Sequence, residues 1–315
     1  MHANCRLTAS PSPNAVQTGK VGSKIAYCKH TANIYFKEVQ KRTMGKLAIT
    51  FLVVIAVVGT ACAVPPIPNL NDQNSSVLVS AGNGVQGWWV DGTNHVNNIN
   101  WFFRVGGTGG EQPLGSLGGI LSLYGDQLAV CDYANPGLFD ARVSWLLTGG
   151  AEGSGTSDLA ATLRLTNTSQ APLSIQLFQC SDLDLNGPTA DDYGKLINSN
   201  VITQWDPVTT VSESVVSQQI APSGWYLGPA STLWGWMNDE LPTTLPNTPA
   251  VGTQVGPDDL AWAFQWAFDI PAGGMVTVII SKDILIHSTV PEPTSMLTLG
   301  CGLVGVIRMV VRKRR

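Results

Sequence analysis

Basic side chains are nearly absent from the middle of this 315-residue chain. Between residues 64 and 289 the only ones are Arg104, Arg142, Arg164, Lys195 and Lys282. They face twenty Asp and Glu, a formal charge of −15 that the whole-chain value of −4 conceals because both ends are basic. A surface so acidic does not track phosphates, which excludes nucleic acid as a partner and favours cations. Histidine is scarce as well: His95 and His287 are the only two in this stretch, and no H-E-x-x-H pair occurs, so nothing suggests a zinc hydrolase. A G-x-S-x-G elbow and a phosphate-binding G-x-x-x-x-G-K-[ST] loop are also missing. Glu111, Glu152, Glu213 and Glu240 leave a glycosidase-type pair as a matter of spatial separation, which a sequence does not give. Of six cysteines, Cys5, Cys28, Cys62 and Cys301 lie outside the central stretch, so Cys131 and Cys180 are the pair expected to form one disulfide if that stretch is exported. No segment keeps a helical period over three turns, and no repeat of 20 to 50 residues is visible.

What the middle of the chain does have is short apolar runs between turn signals, among them INWFFRV, ARVSWLL, DLAATLRLTN, LSIQLFQC and LAWAFQWAFDI. Val, Ile, Thr and Trp dominate them, which predicts a mainly β body, an antiparallel β-sandwich of the immunoglobulin-like or jelly-roll kind. Leu159 to Thr166 and Leu173 to Cys180 read as a hairpin joined by the polar residues 167 to 172, and Ala261 to Asp269 with Val276 to Lys282 as a second antiparallel pair. Within Ala261 to Asp269, Trp262, Phe264, Trp266 and Phe268 share one face, which the period of two assigns to the core. All ten tryptophans lie in the body. Trp88 and Trp89 must point to opposite faces of a strand, so one of them is a candidate for exposure and for stacking on a sugar ring. Gly82, Gly84 and Gly87 fit G-x-G-x-x-G, but Gly87 leads into Trp88-Trp89-Val90 and not a helix, so these glycines read as turn residues and not as a dinucleotide site.

The run Asp182-Leu-Asp184-Leu-Asn186-Gly187, with Asp191 and Asp192 close behind, alternates oxygen ligands before a glycine that permits a sharp turn. That is how a calcium loop begins. The twelfth position from Asp182 is Tyr193 and not the bidentate Glu of an EF-hand, so the run reads first as a solvated acidic turn, with a calcium site of another type as the alternative, in a loop between strands, using Asp182, Asp184, Asn186, Asp191 and Asp192.

The ends carry transport signals. Lys46, the twelve apolar residues Leu47 to Val58 and the small-x-small site Ala61-Cys62-Ala63 make a secretory signal with cleavage expected after Ala63. Met44 is the start such a signal wants, and 1–43 reads as an upstream extension. Residues 44–63 are then the signal, 64–75 a Pro/Asn/Ser linker, 76–289 the body and 290–315 a tail. In the tail, Pro291 and Pro293 keep the chain extended around Glu292. Met296 to Val311 follow as an apolar run of 16 residues, about 24 Å as a helix against a hydrocarbon core of roughly 30 Å. Arg308 sits near its end, where a long side chain reaches the interface. Arg312, Lys313, Arg314 and Arg315 close it as a cytoplasmic stop.

Pro291-Glu292-Pro293, the Gly/Leu-rich run Gly300 to Val306 and the terminal cluster Arg312 to Arg315 resemble the PEP-CTERM sorting segment of Gram-negative bacteria. The resemblance implies recognition and cleavage near the motif by an exosortase, a membrane-embedded cysteine protease, usually in hosts that make extracellular polysaccharide. It further implies export, a transient stay in the inner membrane and release to the cell surface or beyond. The same tail closes some ice-binding proteins, but ice binding calls for regularly repeated Thr faces, which the sequence lacks. The expected role is a structural or adhesive, non-catalytic component. The alternative is a carbohydrate-binding module that meets extracellular polysaccharide through exposed Trp, aided by calcium.

Overall fold

The computed structural model describes residues 69–287 apart from 188, 218 and 219. The upstream extension, the signal with Ala61 and Ala63, and the tail with Pro291, Glu292, Pro293, Arg312, Lys313, Arg314 and Arg315 lie outside the described residues. No helix among the described residues is long and apolar enough to cross a membrane.

The body is a sandwich of two antiparallel sheets of nine strands each. That is about twice the number of strands expected of an immunoglobulin-like domain or a jelly roll. Sheet A runs in the order β1 (Leu70–Asp72), β2 (Ser75–Ser80), β3 (Gly84–Val90), β5 (Asn98–Val105), β11 (Leu173–Asp182), β17 (Leu260–Ile270) and β15 (Gly224–Pro229). The short β4 (Thr93–Asn94) and β6 (Gln112–Pro113) pair with β3 and β5. Sheet B runs β16 (Gln254–Asp258), β12 (Asp192–Asn198), β13 (Val201–Trp205), β14 (Thr209–Val215), β18 (Met275–Ile286), β10 (Thr156–Asn167), β9 (Phe139–Gly149), β8 (Leu128–Asn135) and β7 (Ile120–Tyr124). Strand β1 falls inside the segment expected as linker.

Alternation places the side chains as expected within each strand. Trp262, Phe264 and Trp266 are buried between the sheets, and Trp101 stacks on Trp266 with ring centroids 6.0 Å apart. Trp88 is fully buried, and its indole N–H donates to Ser157 Oγ at 3.0 Å. Trp89, on the opposite face, is half-buried. Its ring lies over Gly87, where a Cβ would overlap it, so this glycine serves a close approach within a strand and not a turn.

The pairing of strands departs from expectation. Strands β10 and β11 are not a hairpin; they belong to different sheets, and so do β17 and β18. Both connections are arches that carry the chain across the sandwich. Period two reports which side of a strand is buried, and an arch buries the same side as a hairpin, so the sequence does not tell them apart. Asn167 ties the two arches together. Its amide donates to the carbonyls of Ala171, Ile270 and Pro271 at 2.8, 2.9 and 3.1 Å, its Oδ1 accepts from Ser169, and its backbone bonds Gly273 and Gly274 of the second arch.

The expected disulfide is absent. Cys131 and Cys180 are both free and buried. Cys131 on β8 faces the interior between the sheets, whereas Cys180 sits on the other face of sheet A with Phe178, Ala261 and Ala263. Burial raises both thiols above their ordinary range, which makes them poor nucleophiles.

One ionic group crosses the interior. Glu213 on β14 and Lys282 on β18 are register partners, both fully buried, with Nζ 3.2 Å from Oε2. The same carboxylate oxygen accepts from Ser181 Oγ at 2.9 Å and from Trp262 Nε1 at 2.6 Å, both on sheet A. Removing the negative charge strands a buried ammonium, a loss of about 3–5 kcal/mol for such pairs. Glu213→Gln is therefore expected to lower the melting temperature sharply in calorimetry. Adding Lys282→Met should recover most of the loss, and an unaltered melt for the single variant would contradict this role.

Candidate functional site

The outer face of sheet A is covered at one end by the only α-helix among the described residues, α1 (Ala230–Asn238). Ala230, Leu233 and Met237 follow the i, i+3, i+7 spacing of a helix that buries one side. They pack on Phe102, Phe178, Cys180, Ala261 and Ala263. The small alanines opposite the tryptophan face of β17 are what lets a helix approach the sheet. The helix begins where the Ala230 N–H donates to the carbonyl of Asp259 at 2.8 Å. The neighbouring loop is held by Arg104, which pairs with Glu111 and donates to the carbonyl of Thr243 at 2.8 Å, with Thr243 N–H returning to Glu111 Oε1 at 2.9 Å.

Beside α1, at the strand ends, lies a groove of about 410 Å³. Asn83, Asn97, Asn98, Asn100 and Asn238 line it, with Phe102, Trp234 and Asp182. Asp182, the last residue of β11, is 2% exposed. Its Oδ2 accepts from Trp234 Nε1 at 2.6 Å and from Asn97 Nδ2 at 3.2 Å, while Oδ1 is buried without a hydrogen-bond partner. Burial pushes the Asp182 carboxyl up to about 6, with the charges of Asp184 and Asp259 adding to the rise and the bonds from Trp234 and Asn97 opposing it. Burial also raises Asp184 and Asp259, helped by the charge of Asp259 on the first and of Asp258 on the second.

The acidic run singled out in the sequence is thus divided. Asp182 and Asp184 come together, and their third companion is Asp259, between β16 and β17; one oxygen from each lies within 4.8 Å of the others. Asn186 goes elsewhere. In a left-handed conformation with φ of 56°, it donates through Nδ2 to Asp206 Oδ2 at 2.6 Å and to Thr209 Oγ1 at 2.8 Å, and its N–H approaches His95 Nδ1 at 3.4 Å. Burial drops His95 to about 4, so it is neutral at ordinary pH. Asp191 is half-buried at the start of the following strand. Asp192 is fully buried on β12, where Gln204 Nε2 donates to its Oδ2 at 2.6 Å. The sequence spacing carried no sign of Asp259. A sign of α1 was there to be read, in the apolar spacing of Ala230, Leu233, Trp234 and Met237 behind Pro229.

A second, wider depression of about 580 Å³ lies on the outer face of sheet B beside Arg142 and Arg164. Its ion pair, Arg142 Nε to Asp132 Oδ1 at 2.6 Å, is about half exposed on both sides. It lacks the buried, preset polar groups of the groove on sheet A.

Comparison with known proteins adds three findings. Residues 289–315 match the PEP-CTERM protein-sorting motif, so the chain carries that motif at its C-terminus. No curated protein matches the chain in sequence. Among solved structures, a bacterial glucoamylase in complex with acarbose superimposes with a TM-score of 0.48 at 11% identity, over 74% of this chain and 33% of that one, so the chain spans about a third of that enzyme's length. A galactose mutarotase related enzyme from Lactobacillus acidophilus gives 0.46 at 8% identity, over 71% of this chain and 98% of that one. A putative aldose 1-epimerase from Escherichia coli K12 gives 0.44 at 12% identity, over 70% and 99%. The likeness is one of strand arrangement. It lends no support to the expected structural or adhesive, non-catalytic component: these three structures are named for enzymes of sugars.

Asp192 gives a pH test of the buried acids. Burial lifts its carboxyl from 3.8 to about 7, with the charges of Asp191 and Asp206 adding to the rise and bonds from Gln204 and the Leu185 backbone opposing it. Asp258 is its register partner on β16. Because the folded value is the higher one, the contribution of this group to stability is fully present below pH 4 and is lost as pH rises to and through 7. Asp192→Asn should match the parent in melts at pH 4 and exceed it at pH 8 by on the order of 2 kcal/mol. Equal melting temperatures at pH 8 would contradict the assignment.

Proposed function

We propose that this protein is exported, held briefly at the inner membrane by its C-terminal motif until an exosortase severs it, and then binds a neutral saccharide in the groove beside α1. The observation that carries the binding reading is the lining of the groove. A sugar hydroxyl both donates and accepts, and a carboxamide offers both partners in one plane, so five asparagines suit a polyhydroxylated ligand. Trp234, half-buried with its ring centroid 6.1 Å from that of the buried Phe102, adds apolar surface for the C–H face of a sugar ring. With Asp182 held on the groove floor by Trp234 and Asn97, part of this polar lining is fixed before a ligand arrives. Five bases against twenty acids in the body weigh against a polyanionic glycan and for a neutral one.

The aromatic contribution differs from the one expected of Trp88 and Trp89. Trp234 and Trp236 of α1 are half-buried, and only Trp234 lines the groove.

Two outcomes are expected. Titrating the purified protein with neutral oligosaccharides should change tryptophan fluorescence and give heat in calorimetry, and Trp234→Ala should weaken the affinity at least about tenfold, in line with the loss of one stacking aromatic. Absence of heat and of fluorescence change across hexose and pentose oligomers would refute binding. Separately, protein recovered outside the cells should have a mass that lacks Arg312 to Arg315. Recovery with Arg315 still attached would refute release by cleavage at the tail.

A further inference from the structure

We infer that Asp182, Asp184 and Asp259 form a binding site for one divalent cation of the calcium type, set under the floor of the groove. Three carboxylates from distant parts of the chain each place an oxygen within 4.8 Å of the other two. Oxygens bound to a common calcium at roughly 2.4 Å cannot lie farther apart than about that distance, so the cluster has the dimensions of half a calcium shell, water completing the rest. All three are hard oxygen donors; no thiol or imidazole belongs to the cluster, which disfavours zinc and copper.

A second observation points the same way. Asp182 is buried, and both of the protein's hydrogen bonds to it, from Trp234 and Asn97, go to the same oxygen. Oδ1 is left with no partner. A buried carboxylate oxygen with nothing to accept from is costly, and a cation is the ligand that compensates it while also relieving repulsion between three acids. None of the three takes part in the ion pairs recorded among the described residues, which involve Arg104, Arg142 and Lys282.

The backbone at the cluster is held independently of any ion. Asn97 N–H donates to the carbonyl of Asp182 at 3.0 Å, Gly187 N–H donates to that of Asp184 at 3.3 Å, and Asp259 caps α1 through Ala230. Magnesium, which requires near-octahedral geometry and gives up water reluctantly, fits this loose set of monodentate oxygens less well than calcium. A bound cation links the end of β11 to the β16–β17 turn and to the start of α1, and so fixes the wall that carries Trp234. The site itself stands whether or not the groove takes a saccharide.

Calorimetric titration of EDTA-treated protein with calcium chloride should show one ion per chain with a Kd of about 0.1–1 mM, the range of extracellular calcium modules, and a rise in melting temperature at 5 Kd or above. Magnesium chloride should bind at least tenfold more weakly. Asp184→Asn and Asp259→Asn should each weaken calcium binding at least tenfold while keeping the far-ultraviolet circular dichroism of the parent, and Asn83→Ala, in the groove but outside the cluster, should leave calcium binding intact. The inference is overturned if the parent shows neither heat nor a melting shift with calcium, or if both folded Asp→Asn variants bind calcium as the parent does. Saccharide titration of the same samples reads the groove separately, so failure of one does not imitate failure of the other.

Discussion

Everything in this sandwich depends on how one carboxylate oxygen is satisfied between the sheets. Glu213 Oε2 takes the ammonium of Lys282 on its own sheet and the hydroxyl of Ser181 and the indole of Trp262 on the other. A charge pair of this kind seldom adds stability over a well-packed apolar one, but it penalises every arrangement that breaks it. A shift of one residue in β18 would move Lys282 to the solvent face and put Asp283 in the core. With Ser181 fixed inward, alternation turns its neighbour Asp182 to the outer face of sheet A, and Trp262 fixed inward does the same for Ala261 and Ala263. The position of the candidate site on the outer face thus follows from a contact in the interior.

The outer face of sheet A then becomes a second, smaller core. Sheets exposed on one side normally carry polar residues there, yet β11 and β17 place Phe178, Cys180, Ala261 and Ala263 outward. These residues call for a cover, and α1 provides one of only nine residues. Asn98, Asn100 and Asp182 at the strand ends line the groove beside it. Arg104 and Glu111 anchor the following loop at Thr243. The groove is what a brief helix on an over-hydrophobic face leaves uncovered.

Some of this was legible in the sequence and some could not be. The β class, the buried face of Trp262, Phe264 and Trp266 and the sharp turn at Asn186-Gly187 were written in local alternation and turn chemistry. Partner strands were not. Residues 167 to 172 have the composition of a hairpin turn, and what makes them an arch is the set of bonds from Asn167 to Ile270 and Pro271, about a hundred residues away. The disulfide failed for the same reason: the count of cysteines was right, but alternation sends Cys180 to the helix-covered face and Cys131 to the core. In the acidic run, Asp182 and Asp184 stand two apart in sequence and do converge. Asp259 joins them only because β17 pairs with β11 so that Asp182 lies opposite Ala261.

The buried acids differ in how their charge is met. Glu213 has a cation. Asp206 has none but accepts from the backbone of Val208 and Thr209 and from the Asn186 amide, so its charge is spread over several donors. Asp192 accepts from Gln204 through one oxygen while the other goes without, and three acids surround it, so protonation is its remaining route to neutrality. Asp182, like Asp192 and Glu213, has one oxygen without a hydrogen-bond partner, but it differs in setting: it lines a groove, and its acidic neighbours are placed where a common ion would touch all of them. A proton can relieve one carboxyl at a time, whereas three that converge around one point are relieved together by a single divalent cation. That distinction, and not the number of acids in the loop, separates a buried acid that only titrates from one that is built to receive something.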